Sequence, residues 1–307
     1  MRPSEQRHPF TALVLLIAIA LGSLVFFIFL AQLVGSQIYG LDIFSAMQNG
    51  TATLEMQKLF ISFYSFGAFI VPPFIYARIR SKTPFSYLDI RIARPLLLFV
   101  LTLAIMLCAK PFLEWTIYFN QQMKLPAFMG PVETWMKYKE IEAELLTKQL
   151  LVMTSSKDLI INLAIIAVIP AIGEELIFRG CLQKIFTTWT NNPHAGIWIA
   201  AILFSAIHFQ FYGFIPRMLL GALFGYVFFY SKSILIPILG HFFNNASAVI
   251  AAYILQRQGK SLDNITKPEF QVWYLVILSV IFTALLLRIY YKLSFSYNNK
   301  PNERKLD

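Results

Sequence analysis

Apolar stretches of about 20 residues alternate with short polar segments along most of this chain. A helix needs about 20 apolar residues to cross the hydrocarbon core of a bilayer, because each residue adds only ~1.5 Å of rise. The pattern therefore predicts an all-α fold, a polytopic transmembrane bundle of about eight spans. The predicted spans are 10–34, 59–76, 95–113, 159–178, 195–211, 215–230, 234–255 and 270–291.

The same pattern predicts four consecutive regions. These are the N-terminal transmembrane helices one to three (1–113), an amphipathic extramembrane segment (114–157), a core of helices four to seven (158–257), and the last transmembrane helix with a basic cytoplasmic tail (258–307).

The extramembrane segment has one stretch with a helical pattern. Trp135, Tyr138, Ile141 and Leu145 recur at helical spacing, and acidic and basic residues lie four positions apart on the polar side. One interpretation is an interfacial helix lying on the bilayer. The other is a lid or substrate-docking element beside an active site.

Composition and charge agree with a membrane protein. Hydrophobic residues make up 57% of the chain and charged residues only 14%, against about 25% charged in soluble domains. The net charge of +10 then indicates cytoplasmic loops rather than a surface for nucleic acid, which we do not expect as a partner. The basic residues predict that both termini lie in the cytoplasm, and the compact architecture suits a bacterial inner (plasma) membrane. These basic residues are Arg2, Arg7, Arg78, Arg80, Lys82, Arg91, Arg94, Arg179, Lys184, Lys232, Lys292, Lys300, Arg304 and Lys305.

Two adjacent carboxylates, Glu174 and Glu175, interrupt the fourth apolar stretch. A charged residue at the centre of a membrane helix costs at least ~2.5 kcal/mol, so a buried pair indicates a functional site. Arg179 lies four residues after Glu175, where its guanidinium can hold that carboxylate. Glu174 points about 100° away and has no partner on its own helix, which leaves it free to act as a general base. We expect either that helix four continues past Arg179 or that helix five starts late.

Two of the four histidines also fall in predicted spans. His208 is in the fifth, and His241 is in the seventh, four residues before Asn245, so that those two share a helix face. Imidazoles can bind a metal or transfer protons, and an amide can donate to a developing oxyanion. With Glu174, these groups suit peptide-bond hydrolysis by an activated water. A single site requires Glu174 and His241 to lie within ~12 Å of each other.

The chain lacks the HExxH helix of zincins and the GxSxG elbow of serine hydrolases. Instead, three motifs in order resemble the CPBP family, also called the Abi or CAAX-protease-like family, of intramembrane proteases. The motifs are EELIFR from Glu174 to Arg179, FSAIH from Phe204 to His208, and HFFNN from His241 to Asn245.

The resemblance implies an intramembrane endopeptidase that acts on a membrane-associated peptide or protein in the lipid bilayer. Family members remove the C-terminal tripeptide of prenylated CaaX proteins or are associated with bacteriocin self-immunity and membrane-protein processing. The catalytic set implied is Glu174, His208, His241 and Asn245, with Glu175, Arg179 and Phe204 in support.

Two points stay open from the sequence. Zinc, bound with the help of His208 and His241, and a metal-free mechanism based on the glutamate are both compatible with the motifs. The alternatives to a protease are a non-catalytic immunity or partner-binding protein, and a transporter that uses buried Glu and His. The transporter would have an inverted repeat, and the sequence shows none.

Overall fold

The computed structural model describes residues 8–93, 95–263 and 272–298, and within these ranges every regular element is a helix. Arg2, Arg7, Arg94, Lys300, Arg304 and Lys305, used above to predict orientation, lie outside these ranges. The helices are α1 (Pro9–Tyr39), α2 (Ile43–Gln48), α3 (Leu54–Arg80), α4 (Pro84–Tyr87), α5 (Leu97–Gln121), α6 (Gly130–Leu150), α7 (Ser156–Thr190), α8 (Pro193–Ala206), α9 (Phe214–Ser231), α10 (Leu235–Arg257) and α11 (Trp273–Asn298).

Among the described residues, seven helices are long and apolar enough to cross a bilayer: α1, α3, α5, α7, α9 with its preceding turn, α10 and α11. The prediction of an all-α, polytopic membrane protein is confirmed. The predicted fifth span, 195–211, is different, because α8 has only 14 residues and ends at Ala206. A helix of that length reaches about 21 Å, short of the ~30 Å core. The location of both termini stays a prediction.

Helix α7 carries the two adjacent glutamates and is the longest helix described, at 35 residues. It continues past Arg179 to Thr190, the first of the two expected arrangements. Two π-helical turns, Leu163–Val168 and Leu176–Leu182, widen it before Pro170 and after Glu175. Such turns are frequent at functional sites. Here they flank Glu174 and Glu175 on both sides.

Close approach between helices encloses α7 along both of its halves. Helix α8 packs against the end of α7 and against α9, while α10 packs against the first half of α7 and against α5. A Cβ at Gly225 of α9 would lie 2.7 Å from Ile197 of α8, and one at Gly173 would lie 2.7 Å from Phe69 of α3. Small residues thus allow the contact distances that drive helix association in membranes.

The last helix, α11, repairs a break in α5. Pro111 interrupts α5, and the Phe112 N–H donates instead to Ser279 Oγ of α11 at 3.2 Å. The Ser279 hydroxyl in turn donates to Cys108 O at 2.6 Å. A neighbouring side chain inserted into the backbone ladder is how membrane helices tolerate an internal proline.

Candidate active site

Glu175 is the centre of the polar cluster between α7, α9 and α10. Its side chain is 0% exposed, and its Oε1 accepts one hydrogen bond from Arg179 Nη1 and another from His241 Nδ1, each at 2.8 Å. The pair with Arg179 was expected from their spacing on one helix. The bond to His241 was not, because it joins α7 to α10 across 66 residues of sequence.

Glu174 lies on the other side of His241. Its Oε2 is 3.8 Å from His241 Nε2, well inside the ~12 Å that a single site requires. Because a carboxylate only accepts, His241 Nδ1 carries the hydrogen in its bond to Glu175, and Nε2 is directed at Glu174. Glu174 is 14% exposed, so of the two carboxylates it is the one that water can reach.

Arg179 is enclosed by aromatic rings and by α9. Its Nη2 donates to Gly221 O at 2.8 Å, and its guanidinium carbon lies 4.8 Å from the Phe204 ring centroid and 5.6 Å from that of Phe224. Stacking and hydrogen bonding together compensate a guanidinium that is 2% exposed. Arg179 therefore fixes the orientation of Glu175, and through it that of His241.

His208 lies beyond the helix in which the sequence predicted it. Helix α8 ends at Ala206, and Phe209 has a left-handed backbone conformation (φ 52°) that prevents its continuation. His208 Nδ1 is 2.7 Å from Phe204 O. A carbonyl only accepts, so Nδ1–H donates and Nε2 keeps its lone pair. The Phe204 ring packs at 5.2 Å from the His208 ring and at 5.9 Å from the His241 ring.

Asn245 is bonded to α7. Its Nδ2 donates to Ile166 O at 3.1 Å. Ile166 is four residues before Pro170, whose missing N–H leaves that carbonyl without its usual helical donor. Asn245 thus stabilises the break in α7, and one of its two amide hydrogens is left for another acceptor.

All four predicted catalytic side chains line one cavity of about 840 Å³. Glu140, Glu144 and Thr147 of α6 line it too. Helix α6 therefore lies beside the site, at the position that a lid or docking helix would occupy. Glu140 accepts a hydrogen bond from the Tyr212 N–H at 3.3 Å, and burial raises the pKa of its carboxyl.

The sequence did not single out several ionisable residues of this cavity: Arg217 and the glutamates Glu114, Glu140 and Glu144. Arg217 is the basic residue in the predicted sixth span, 215–230, and it lines the same cavity as Glu174. An arginine in an apolar stretch was a sufficient signal. Glu140 carried no comparable signal, because it belongs to a segment rich in charged residues.

His208 and His241, which the sequence allows as zinc ligands, are not joined by a third potential ligand among the described residues. Within 8–93, 95–263 and 272–298, no three His, Cys, Asp or Glu side chains are grouped so that they could hold a metal ion. His208 Nδ1 and His241 Nδ1 donate to protein acceptors, so only the Nε2 of each ring is left to bind a metal. The side chains as arranged do not fit a zinc site with three protein ligands.

Comparisons with known proteins concern the same part of the chain. The family described as "Type II CAAX prenyl endopeptidase Rce1-like" matches residues 156–247. The match confirms the family resemblance. It covers α7 to the first half of α10, and supports a CAAX-type intramembrane protease in general.

The curated protein "Uncharacterized protein YpbD" of Bacillus subtilis (strain 168) is 28% identical over 95 residues. The alignment covers 30% of this chain and 46% of that protein. The chain thus spans less than half the length of this relative. No solved structure matches the chain.

Proposed function

We propose that this chain is an intramembrane endopeptidase in which Glu174 activates the attacking water. The observation that carries the proposal is the array Arg179–Glu175–His241–Glu174, in which one carboxylate is locked by an arginine and the other borders a cavity. A base must reach water and be held in position, and in support Glu174 borders the cavity and lies 3.8 Å from His241 Nε2.

In the proposed reaction, Glu174 takes a proton from water while the oxygen bonds to the scissile carbonyl carbon. The carbonyl oxygen becomes an oxyanion, for which the second amide N–H of Asn245 is the candidate donor. The carbon–nitrogen bond then breaks as the amine takes the proton back from Glu174. Glu174 loses its negative charge when it takes the proton and regains it when it gives the proton up. His241, held by Glu175, keeps the carboxylate in place during both steps.

The proposed substrate is a membrane-associated peptide or protein. Apolar side chains such as Leu113, Ile117 and Val249 line the cavity beside the polar groups. Such a lining suits an extended peptide with apolar side chains. Whether the peptide is prenylated is a question for the assay below.

The test is proteolysis in liposomes. Wild-type protein, Glu174→Gln and the matched surface variant Glu133→Gln would receive membrane-anchored peptides with and without a farnesyl group, and products would be identified by mass spectrometry. We expect cleavage by wild type and Glu133→Gln, and a loss of ~10²–10⁴-fold in Glu174→Gln. A parallel series with a chelator tests metal dependence.

Cleavage that persists in Glu174→Gln would refute the assigned base. If folded wild-type protein cleaves none of the peptides, a partner-binding protein is favoured. A pH-sensitive dye in the same liposomes measures proton flux. Flux that depends on the protein would indicate a transporter instead of a protease or a partner-binding protein.

A further inference from the structure

Arg217 is a charged residue of the cavity to which the proposed mechanism gives no role. It lies near the start of α9, in a segment apolar enough to cross a bilayer. An arginine in such a segment costs ~2.5 kcal/mol or more unless it is compensated, and by default indicates a functional site.

The hydrogen bonds of Arg217 are made to neutral acceptors of one residue. Nη2 donates to Gln210 Oε1 at 2.7 Å and Nη1 donates to Gln210 O at 3.4 Å. Within the described part of the chain, no carboxylate forms an ion pair with it, that is, none lies within 4.0 Å. Arg179 differs, since its buried guanidinium holds Glu175 at 2.8 Å.

The surroundings leave the guanidinium accessible from the cavity. A guanidinium has five N–H donors, more than Gln210 uses. Arg217 lies against Gly213. A Cβ at that position would come to 3.1 Å from Nη2, so a larger residue there would crowd the guanidinium. It borders the same cavity as Glu174, His208 and His241.

We propose that Arg217 is a specificity-determining residue that binds a carboxylate of the peptide in the cavity. This rests on the proposed function, and it adds the chemical class of one recognised group. A carboxylate matches the planar fork of a guanidinium and can accept two hydrogen bonds from it. In a peptide, the group is either the free C terminus or an Asp or Glu side chain.

The other charges of the cavity make this role selective. Four glutamates line it, of which Glu114 and Glu144 are paired with Lys110 and Lys148. The other two, Glu140 and Glu174, would repel an anionic peptide that found no cationic partner. Among the described residues that line the cavity, Arg217 is the arginine and none is a lysine. Without Arg217, a peptide with a carboxylate should therefore bind no more tightly than its carboxamide, or more weakly.

The test measures binding, which does not depend on cleavage. Three dansylated peptides would be titrated into nanodisc-embedded Glu174→Gln protein: Ala-Leu-Leu-Ala with a free carboxylate, Ala-Leu-Leu-Ala carboxamide, and Ala-Asp-Leu-Ala carboxamide. We expect the Kd of the free-carboxylate peptide to be at least ~10-fold lower than that of its carboxamide. Recovery of affinity in the Asp peptide would assign recognition to a side chain instead of the terminus.

The decisive comparison adds Arg217→Gln to the same protein. We expect the preference for a carboxylate to disappear there, to persist in part in Arg217→Lys, and to be unchanged in Arg257→Gln, which alters an exposed arginine at the end of α10. Thermal unfolding checks that each variant is folded.

Equal Kd values for the carboxylate and carboxamide peptides when Arg217 is present would overturn the proposal. So would the absence of any binding, or a preference that survives in Arg217→Gln. Failure of the protease proposal would show separately, as no cleavage by wild type.

Discussion

Two pairs of a glutamate and a base four residues later occupy contrasting regions. In α7, Glu175 and Arg179 are 0% and 2% exposed and 2.8 Å apart. In α6, Glu133 and Lys137 are 19% and 59% exposed and 2.6 Å apart. The sequence spacing and the atomic distance are nearly the same, yet the surroundings differ completely.

The difference teaches that burial decides what such a pair does. An exposed pair contributes ~0–1 kcal/mol, because hydration stabilises the two separate charges about as well as their mutual attraction does. A buried pair is not necessarily stabilising as a whole, but removing one partner leaves an uncompensated charge. In α7, a lysine in place of Arg179 would also lack the planar fork with which the guanidinium reaches both Glu175 and Gly221 O.

The largest expected effect comes from breaking the buried pair. Arg179→Met should lower the free energy of unfolding by ~3–5 kcal/mol, because Glu175 is then buried without its cation. Lys137→Met in the surface pair should leave it nearly unchanged, because water screens that pair. Thermal or denaturant unfolding in detergent measures both, and similar losses in the two variants would contradict the comparison.

A second variant tests whether Glu175 acts through His241. In Glu175→Gln we expect kcat to fall on the order of 10²-fold with little change in KM, because the imidazole loses its ionised partner. Combining it with His241→Gln should cost no more than the worse single change, since both disrupt one unit. If the loss of kcat in the double variant equals the product of the two single losses, Glu175 and His241 act independently and the prediction is wrong.

A third variant divides the two roles of Asn245. Asn245→Ala removes the donor to Ile166 O, which should cost ~0.6–1.7 kcal/mol of stability in a membrane protein. If its second N–H also donates to the oxyanion, kcat should fall ~10²–10³-fold, more than the stability loss explains. An unchanged kcat in folded protein would limit Asn245 to a structural role.

The smallest expected effect is a pH dependence at the boundary of the two regions. Burial raises the pKa of Glu140 on α6, so the native state holds its proton to higher pH than the unfolded state. Stability contributed by the protonated form is then lost as pH rises through this raised pKa. Glu140→Gln removes this dependence and keeps an acceptor for the Tyr212 N–H.

Melting temperatures at several pH values above 4 measure this. The advantage of Glu140→Gln over wild type should grow with pH and stay within about 1 kcal/mol. Glu142→Gln is the matched control, because a hydrogen bond from Lys139 lowers the pKa of the exposed Glu142. Its variant should lose a little stability at neutral pH, and the same trend in both variants would contradict the assignment to burial.

Sequence patterns sufficed for the helices and for one local contact. Apolar runs of about 20 residues and the i,i+4 spacing of Glu175 and Arg179 report geometry within a single helix. They failed at α8, where composition continued to be apolar while the helix ended at Ala206. The left-handed backbone at Phe209 follows that end. It could not be predicted from the sequence, because the position is not a glycine, the usual signal for such a turn.

Contacts between helices needed the tertiary structure. No local pattern indicated that His241 hydrogen-bonds to Glu175, that Asn245 donates to the carbonyl freed by Pro170, or that Ser279 bridges the break at Pro111. Each joins residues far apart in the chain, and their meeting depends on how helices cross and rotate rather than on local spacing.

By itself, the sequence determined that this is an all-α membrane protein and which polar residues its apolar helices carry. Hydropathy suffices for this because a bilayer accepts helical segments of fixed length and penalises charge inside them. Only the tertiary structure decided which of those polar residues share a cavity, which carboxylate is locked and which is open to water, and that Arg217 belongs with them. Those outcomes depend on burial and on pairing between helices, which a linear pattern does not encode.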